Sequence, residues 1–254
     1  MRNFKLTLEY DGTGFNGWQT QKQNERTVQG ELEKACARIF QQKVNVVGSG
    51  RTDSGAHALG QVGHVRVESI LAPPIILKAL NAILPKDIAI IDVEEVNAKF
   101  HAQRSTRSKT YRYSILNRPQ RAALGREFHY FYPYPLNVSA MRREVKFLVG
   151  RKDFRSFQAT DPLREDQSSV RRITAVRLRR QGDFIFIDVT ANGFLYKMVR
   201  NIVGTLLEVG GGRLPAGSVQ KILKAKNRKR AGPTAPARGL CLLKVLYKKN
   251  FKER

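Results

Sequence analysis

Residues 44–67 read VNVVGSGRTDSGAHALGQVGHVRV, two valine-rich runs joined by a loop in which Gly48, Gly50 and Gly55 punctuate small polar residues. Val44–Val47 and Gln61–Val67 have the composition of strands, and the stretch between them is what a chain uses to turn. Reading outward, Phe4, Leu6, Leu8 and Tyr10 alternate with Lys5, Thr7 and Glu9, the period of a half-buried strand that stops at the Asp11-Gly12 turn. Val28, Leu32, Ala35, Cys36 and Ile39 then recur at helical spacing behind Thr27, a residue that caps helix N-termini. On the other side, Pro73-Pro74 opens a helix predicted to reach Leu84, and Ile88–Val93 forms a further strand. The first half therefore runs β-α-β-β-α-β.

A similar order recurs in the second half. Strands are predicted at Tyr111–Leu116, Ile173–Arg179, Phe184–Thr190 and Leu240–Tyr247, with helices at Leu136–Leu148 and Phe194–Val209 and a hairpin over Gln181-Gly182-Asp183. Such halves belong to the α+β class: two ferredoxin-like, RRM-like βαββαβ units whose antiparallel sheets face a central cleft. The expected boundary gives an N-terminal α+β domain of residues 1–105, holding the glycine-flanked loop, and a C-terminal α+β domain of residues 106–254 that completes the cleft.

The chain of 254 residues carries a formal charge of +25, a self-repulsion that a polyanionic partner relieves. Nucleic acid fits that description better than a membrane, because no segment approaches the ~20 apolar residues of a membrane span. The alternating amino terminus reads as a strand and not as a leader, which points to the cytoplasm. Two cysteines, Cys36 and Cys241, have no metal-ligating spacing and read as buried thiols.

Chemistry concentrates in Gly50–Ala58, GRTDSGAHA, where Asp53 is the one acid among glycines, with Arg51 and His57 close by. The stretch is neither a Walker loop nor GxGxxG, and a metal-dependent nuclease needs several convergent carboxylates; Asp53 reads as a catalytic acid displayed to a polyanion or as a turn residue that caps the backbone. Trp18, in the loop after the first strand, reads equally as a packing anchor or as part of an RNA contact with Gln19 and Gln21. Tyr111 is either an inward-facing strand aromatic or a base-stacking platform. Arg200 falls on an otherwise apolar helix where burial demands a carboxylate, Asp53 being the natural choice, or else it reaches to solvent. The basic runs Arg171–Arg180 and Lys221–Arg230 read as solvated faces.

Taken in order, YDGTGFNGWQTQ (10–21), TVQGELEKA (27–35), GRTDSGAHA (50–58), LNAILPKDI (80–88), FHAQRS (100–105), KTYRY (109–113), KDF (152–154), GFLYKMVRNIVG (193–204) and APARGL (235–240) resemble the tRNA pseudouridine synthase A family over nearly the whole chain. The resemblance implies an isomerase that converts uridine to pseudouridine at positions 38–40 of the tRNA anticodon stem-loop, with no cofactor and no metal, acting as a homodimer. By position it implies that Asp53 is the catalytic nucleophile and that Arg51 holds the place of the flipped-out base. It further implies that Tyr111 stacks on the uracil and assists proton removal from C5, that Arg200 pairs with the aspartate, and that Leu240 walls the base pocket. Two departures are visible: Ala56 replaces the commoner valine, and FHAQRS moves an arginine from position 103 to Arg104. Two other readings are a non-enzymatic tandem RNA-binding protein, to which GDFIFIDV (182–189) lends loose support, and a base-excising hydrolase.

Overall fold

The computed structural model describes residues 1–20, 25–160 and 168–247. Strand β1 (Arg2–Tyr10) keeps the predicted alternation, burying Phe4, Leu6, Leu8 and Tyr10. Helix α1 (Val28–Phe40) starts where Thr27 caps it, the threonine oxygen accepting the Gly30 N–H at 3.2 Å; a cap of this kind contributes about 1 kcal/mol. Its buried stripe ends on Phe40, which stacks on Phe4 with ring centroids 6.5 Å apart. The run predicted as the next strand is pared down to β2 (Val47–Gly48), because the Val46 N–H is taken by the Glu33 carboxylate at 3.0 Å and is not offered to a ladder. Strand β3 (His57–Val67) begins four residues earlier than its sequence suggests, directly at the end of the glycine-flanked loop. Helix α2 (Pro73–Ile83) opens on its two prolines and buries Ile76 and Leu80; β4 (Ile88–Val96) follows.

The second stretch begins with β5 (Thr106–Leu116) and continues through the short β6 (Tyr130–Phe131), α3 (Val138–Val145), β7 (Gly150–Asp153), β8 (Val170–Gln181), β9 (Phe184–Ala191), α4 (Met198–Gly210), α5 (Ser218–Ala225) and β10 (Leu240–Tyr247). The helix expected over 136–148 is α3 followed by a 3₁₀ turn at Lys146–Leu148. The helix expected from Phe194 starts only at Met198, since Lys197 sits at φ 55°, ψ 14° in the left-handed region and the chain before it is irregular. Strand β7 and helix α5 have no counterpart in the sequence reading. Both are short, and α5 runs into the start of the basic run: Lys221 and Lys224 are exposed while Val219, Ile222 and Leu223 are buried.

The architecture is mixed α+β on mostly antiparallel sheet. The chain separates into two compact units, Met1–Arg107 together with the chain from Cys241 onward, and Ser108–Leu240. In the first, β1 lies between β4 and β3, antiparallel to both, β2 pairs antiparallel with β3, and β10 runs parallel to β3 through Cys241↔His57 and Leu242↔Ala58. In the second, the order is β5-β9-β8-β7, all antiparallel, with β6 beside β5. Register sets the buried face of that second sheet: Tyr111, Tyr113 and Ile115 of β5 stand opposite Val189, Ile187 and Ile185 of β9, and all six are buried.

Candidate active site

The loop carrying Asp53 has no regular structure, so its shape comes from what grips it. Residues 12–18 lie across it, and glycine is required at two of the contacts. A Cβ on Gly12 would stand 1.9 Å from the Ala56 carbonyl oxygen, and one on Gly17, at φ +85°, 2.7 Å from that of Thr52. The Trp18 N–H donates to Thr52 O at 3.1 Å, and the Gly55 N–H and the Ser54 hydroxyl both donate to Phe15 O. Within the loop the Ala56 N–H closes a turn on Asp53 O at 3.1 Å. Asp53 emerges half-buried and Arg51 exposed.

Trp18 is a packing anchor. It is 3% exposed, and its ring lies so close over Gly48 that a Cβ there would be 2.5 Å from it. Gln19 is half-buried, whereas Gln21 lies outside the described residues. His57 is buried, its Nδ1 accepting the Gly12 N–H at 3.0 Å with Asp11 Oδ1 at 3.1 Å. Burial works to raise the Asp11 carboxyl, but the Thr13 hydroxyl and amide together with His57 outweigh it and hold the group below its ordinary value. Burial pushes the Cys36 thiol up to about 12, which makes it inert.

Tyr111, Arg200 and Leu240 belong to the second unit, Asp53 and Arg51 to the first. Tyr111 is 7% exposed on the inward face of β5, edge-on to Phe194 with centroids 5.0 Å apart. Leu240 is buried at the start of β10, just after Gly239, whose missing side chain lets the Tyr113 ring approach; a Cβ there would be 2.7 Å from that ring. Arg200 departs from the expectation of deep burial. It occupies the first turn of α4, is half-buried, and is tied at both ends of one residue: its Nε donates to Ala235 O at 2.7 Å and its own carbonyl accepts the Ala235 N–H at 3.2 Å.

The basic run resolves into different parts. Arg228 is structural, its guanidinium donating to Asn201 Oδ1, Thr234 Oγ1 and the carbonyls of Ala231 and Gly232, while Lys229 and Arg230 are exposed. Among the described residues no three His, Cys, Asp or Glu side chains converge as metal ligands, and no helix is long and apolar enough to cross a membrane. Sequence reading passed over Gln61, a buried amide beneath the Asp53 loop. Its signal is a polar side chain at an inward position of a strand whose other buried positions are valine, alanine, glycine and histidine.

A half-exposed carboxylate on a loop fixed through its backbone, within a strongly cationic chain, suits nucleophilic attack on a bound polyanion. A family model described as tRNA pseudouridine synthase matches residues 7–103 and 145–248. The chain is 44% identical over 247 residues to a protein named tRNA pseudouridine synthase A from Caldicellulosiruptor bescii, covering 97% of this chain and 100% of that one. Identity and coverage are the same with the protein of that name from Clostridium acetobutylicum. With that from a Geobacillus species identity is 44%, covering 97% of this chain and 98% of the relative.

Proposed function

This chain belongs to the tRNA pseudouridine synthase family, and on that premise we propose that it isomerises uridine to pseudouridine at positions 38–40 of the tRNA anticodon stem-loop, with no cofactor or metal. The observation that carries the reading is the Asp53 loop, gripped along its backbone by residues 12–18 while the carboxylate stays half-exposed. A stem uridine hides C1′ and C5, so the base leaves the stack at a cost of a few kcal/mol. Phosphate contacts from a chain of charge +25 offset that cost. Asp53 then attacks either C1′ or the uracil ring; the N1–C1′ bond breaks, the base turns, C5 bonds to C1′, the bond to Asp53 breaks and frees its carboxylate, the C5 proton departs and N1 ends protonated.

The remaining roles rest on the family resemblance. Tyr111 stacks on the uracil and assists loss of the C5 proton, Arg200 is the cationic partner of the nucleophile, Arg51 holds the place of the extruded base, and Leu240 lines the base pocket. In the same reading residues 1–105 form the domain of the aspartate loop and residues 106–254 the domain that supplies Tyr111, Arg200 and Leu240. Each half is taken as ferredoxin-like, an arrangement supported for the first by its β4-β1-β3-β2 neighbours. The protein acts as a cytoplasmic homodimer, with sedimentation as the check on its mass.

The test is metal-free incubation with unmodified tRNA tritiated at uracil C5. Release of label with pseudouridine recovered in the RNA supports the isomerase. Free uracil with no pseudouridine replaces it by a base-excising hydrolase, and tight binding with neither product replaces it by an RNA-binding protein.

A further inference from the structure

Beneath the Asp53 loop, Gln61 of β3 is 0% exposed. A primary amide taken out of water costs on the order of 1–3 kcal/mol unless it is hydrogen-bonded, and this one is bonded through all four of its positions. Oε1 accepts the Ser49 hydroxyl at 2.7 Å and the Val62 N–H at 3.1 Å; Nε2 donates to Gly50 O at 3.0 Å and to Tyr10 Oη at 3.5 Å. The amide has one orientation, because the Val62 N–H can only donate and the Gly50 carbonyl can only accept. Tyr10 continues the chain of bonds to Thr52 Oγ1 at 2.8 Å, and burial pushes its phenol well up, so the hydroxyl stays neutral.

We infer that Gln61 is a positioning residue for Asp53: its amide brackets Ser49 and Gly50 directly and Thr52 through Tyr10, and so sets the height and angle at which the carboxylate is presented. This rests on the reading of Asp53 as nucleophile. An apolar residue of similar volume fills the same space; what the amide adds is direction, and that direction is spent on three of the four residues leading into Asp53. Thr52 is held from both sides, its side chain by Tyr10 and its carbonyl by the Trp18 N–H at 3.1 Å. Displacement of a reacting group by about 1 Å costs on the order of 10²-fold in rate, so the bracket acts on turnover and not on RNA affinity.

Gln61→Leu and Gln61→Glu test it in the full-length protein. For Gln61→Leu the expected result is kcat lower by about 10²-fold with KM for tRNA within twofold; wild-type kcat overturns the inference. Gln61→Glu keeps the shape and, while protonated, can still donate to Gly50 O, but once ionised it cannot, and burial raises a carboxyl pKa. Its kcat is expected to be nearest wild type at the acid end of the active range and to fall as pH rises at constant KM, a limb absent from the wild type. A kcat ratio to wild type that does not change with pH overturns the inference, and this variant decides the matter if the leucine variant does not fold. Amide exchange at Ser49, Gly55 and Ala56, measured without RNA, separates bracket from reaction. Unchanged protection in the folded leucine variant, or in the glutamate variant at the alkaline end of the active range, defeats the bracket, whereas failure of the wild-type protein to make pseudouridine defeats the reaction alone.

Discussion

The loop around Asp53 and the first turn of α4 around Arg200 each present a half-buried charged side chain, and they hold it by different means. The loop has no hydrogen-bonded ladder of its own, and its backbone is gripped by neighbours: Gln61 from β3, Phe15 and Trp18 from the loop after β1. Arg200 sits on regular helix, and both its carbonyl and its Nε engage Ala235. That tie depends on close backbone approach nearby. A Cβ on Gly204, one turn further along α4, would lie 1.7 Å from Pro233 O. Both holds rest on close backbone approach, at Gly12 and Gly17 beside the loop and at Gly204 on α4, so a single methyl group can break either; what the loop has in addition is the buried amide of Gln61.

The largest expected effect tests which charge does chemistry. Asp53→Asn should lose about 10⁴-fold or more in turnover, measured as tritium release, while tRNA affinity and melting temperature stay near wild type. Measurable retained turnover would remove Asp53 from the nucleophile's role. Next come the glycines. Gly204→Ala and Gly12→Ala should each destabilise by about 3 kcal/mol or more, because the clashing atom is a backbone carbonyl in both cases. Urea unfolding checks this, and a cost under 1 kcal/mol at Gly204 would show that the backbone approach is looser than described.

Arg200→Lys should lower kcat/KM by roughly tenfold, since an ammonium cannot reproduce a guanidinium that donates from Nε while presenting its fork elsewhere. Unchanged kinetics would leave Arg200 a purely structural residue. The smallest effect concerns β3, the strand under the loop. His64 is buried with its Nδ1 accepting the Ala102 N–H, and burial, with lesser contributions from His101 and Arg66, pushes its pKa down from 6.5 to about 4. A histidine whose folded pKa is depressed stabilises the fold fully above its unfolded pKa and loses that contribution as pH falls. Stability should therefore decline between pH 6.5 and about 4, and His64→Gln should flatten that part of a melting-temperature profile.

What could be read from the sequence was local. The alternation in β1, the Thr27 cap and the Pro73-Pro74 helix start each depend on neighbours in the chain, and each stands where expected. What could not be read depended on distant partners. Val44–Val46 has the composition of a strand, yet Glu33 from α1 claims the Val46 N–H. The apolar run from Phe194 resembles continuous helix, but a left-handed Lys197 delays α4 to Met198 and puts Arg200, half-buried, in its otherwise buried first turn. Basic residues at 221–230 masked the short apolar stripe of α5 and the structural role of Arg228. Asp53 announced itself through its glycines; Gln61 did not, because its significance lies in four partners that only folding assembles.

Trp18 gives the protein a built-in optical probe. It is the only tryptophan in the chain, its ring covers Gly48, and its amide holds Thr52, the residue before Asp53. Emission excited selectively in the indole band therefore comes from one known place, with no second fluorophore of its kind to subtract. A loop that shifts when RNA docks changes the polarity and quenching felt by that ring, so stopped-flow fluorescence of the unlabelled protein times any such shift against the appearance of product.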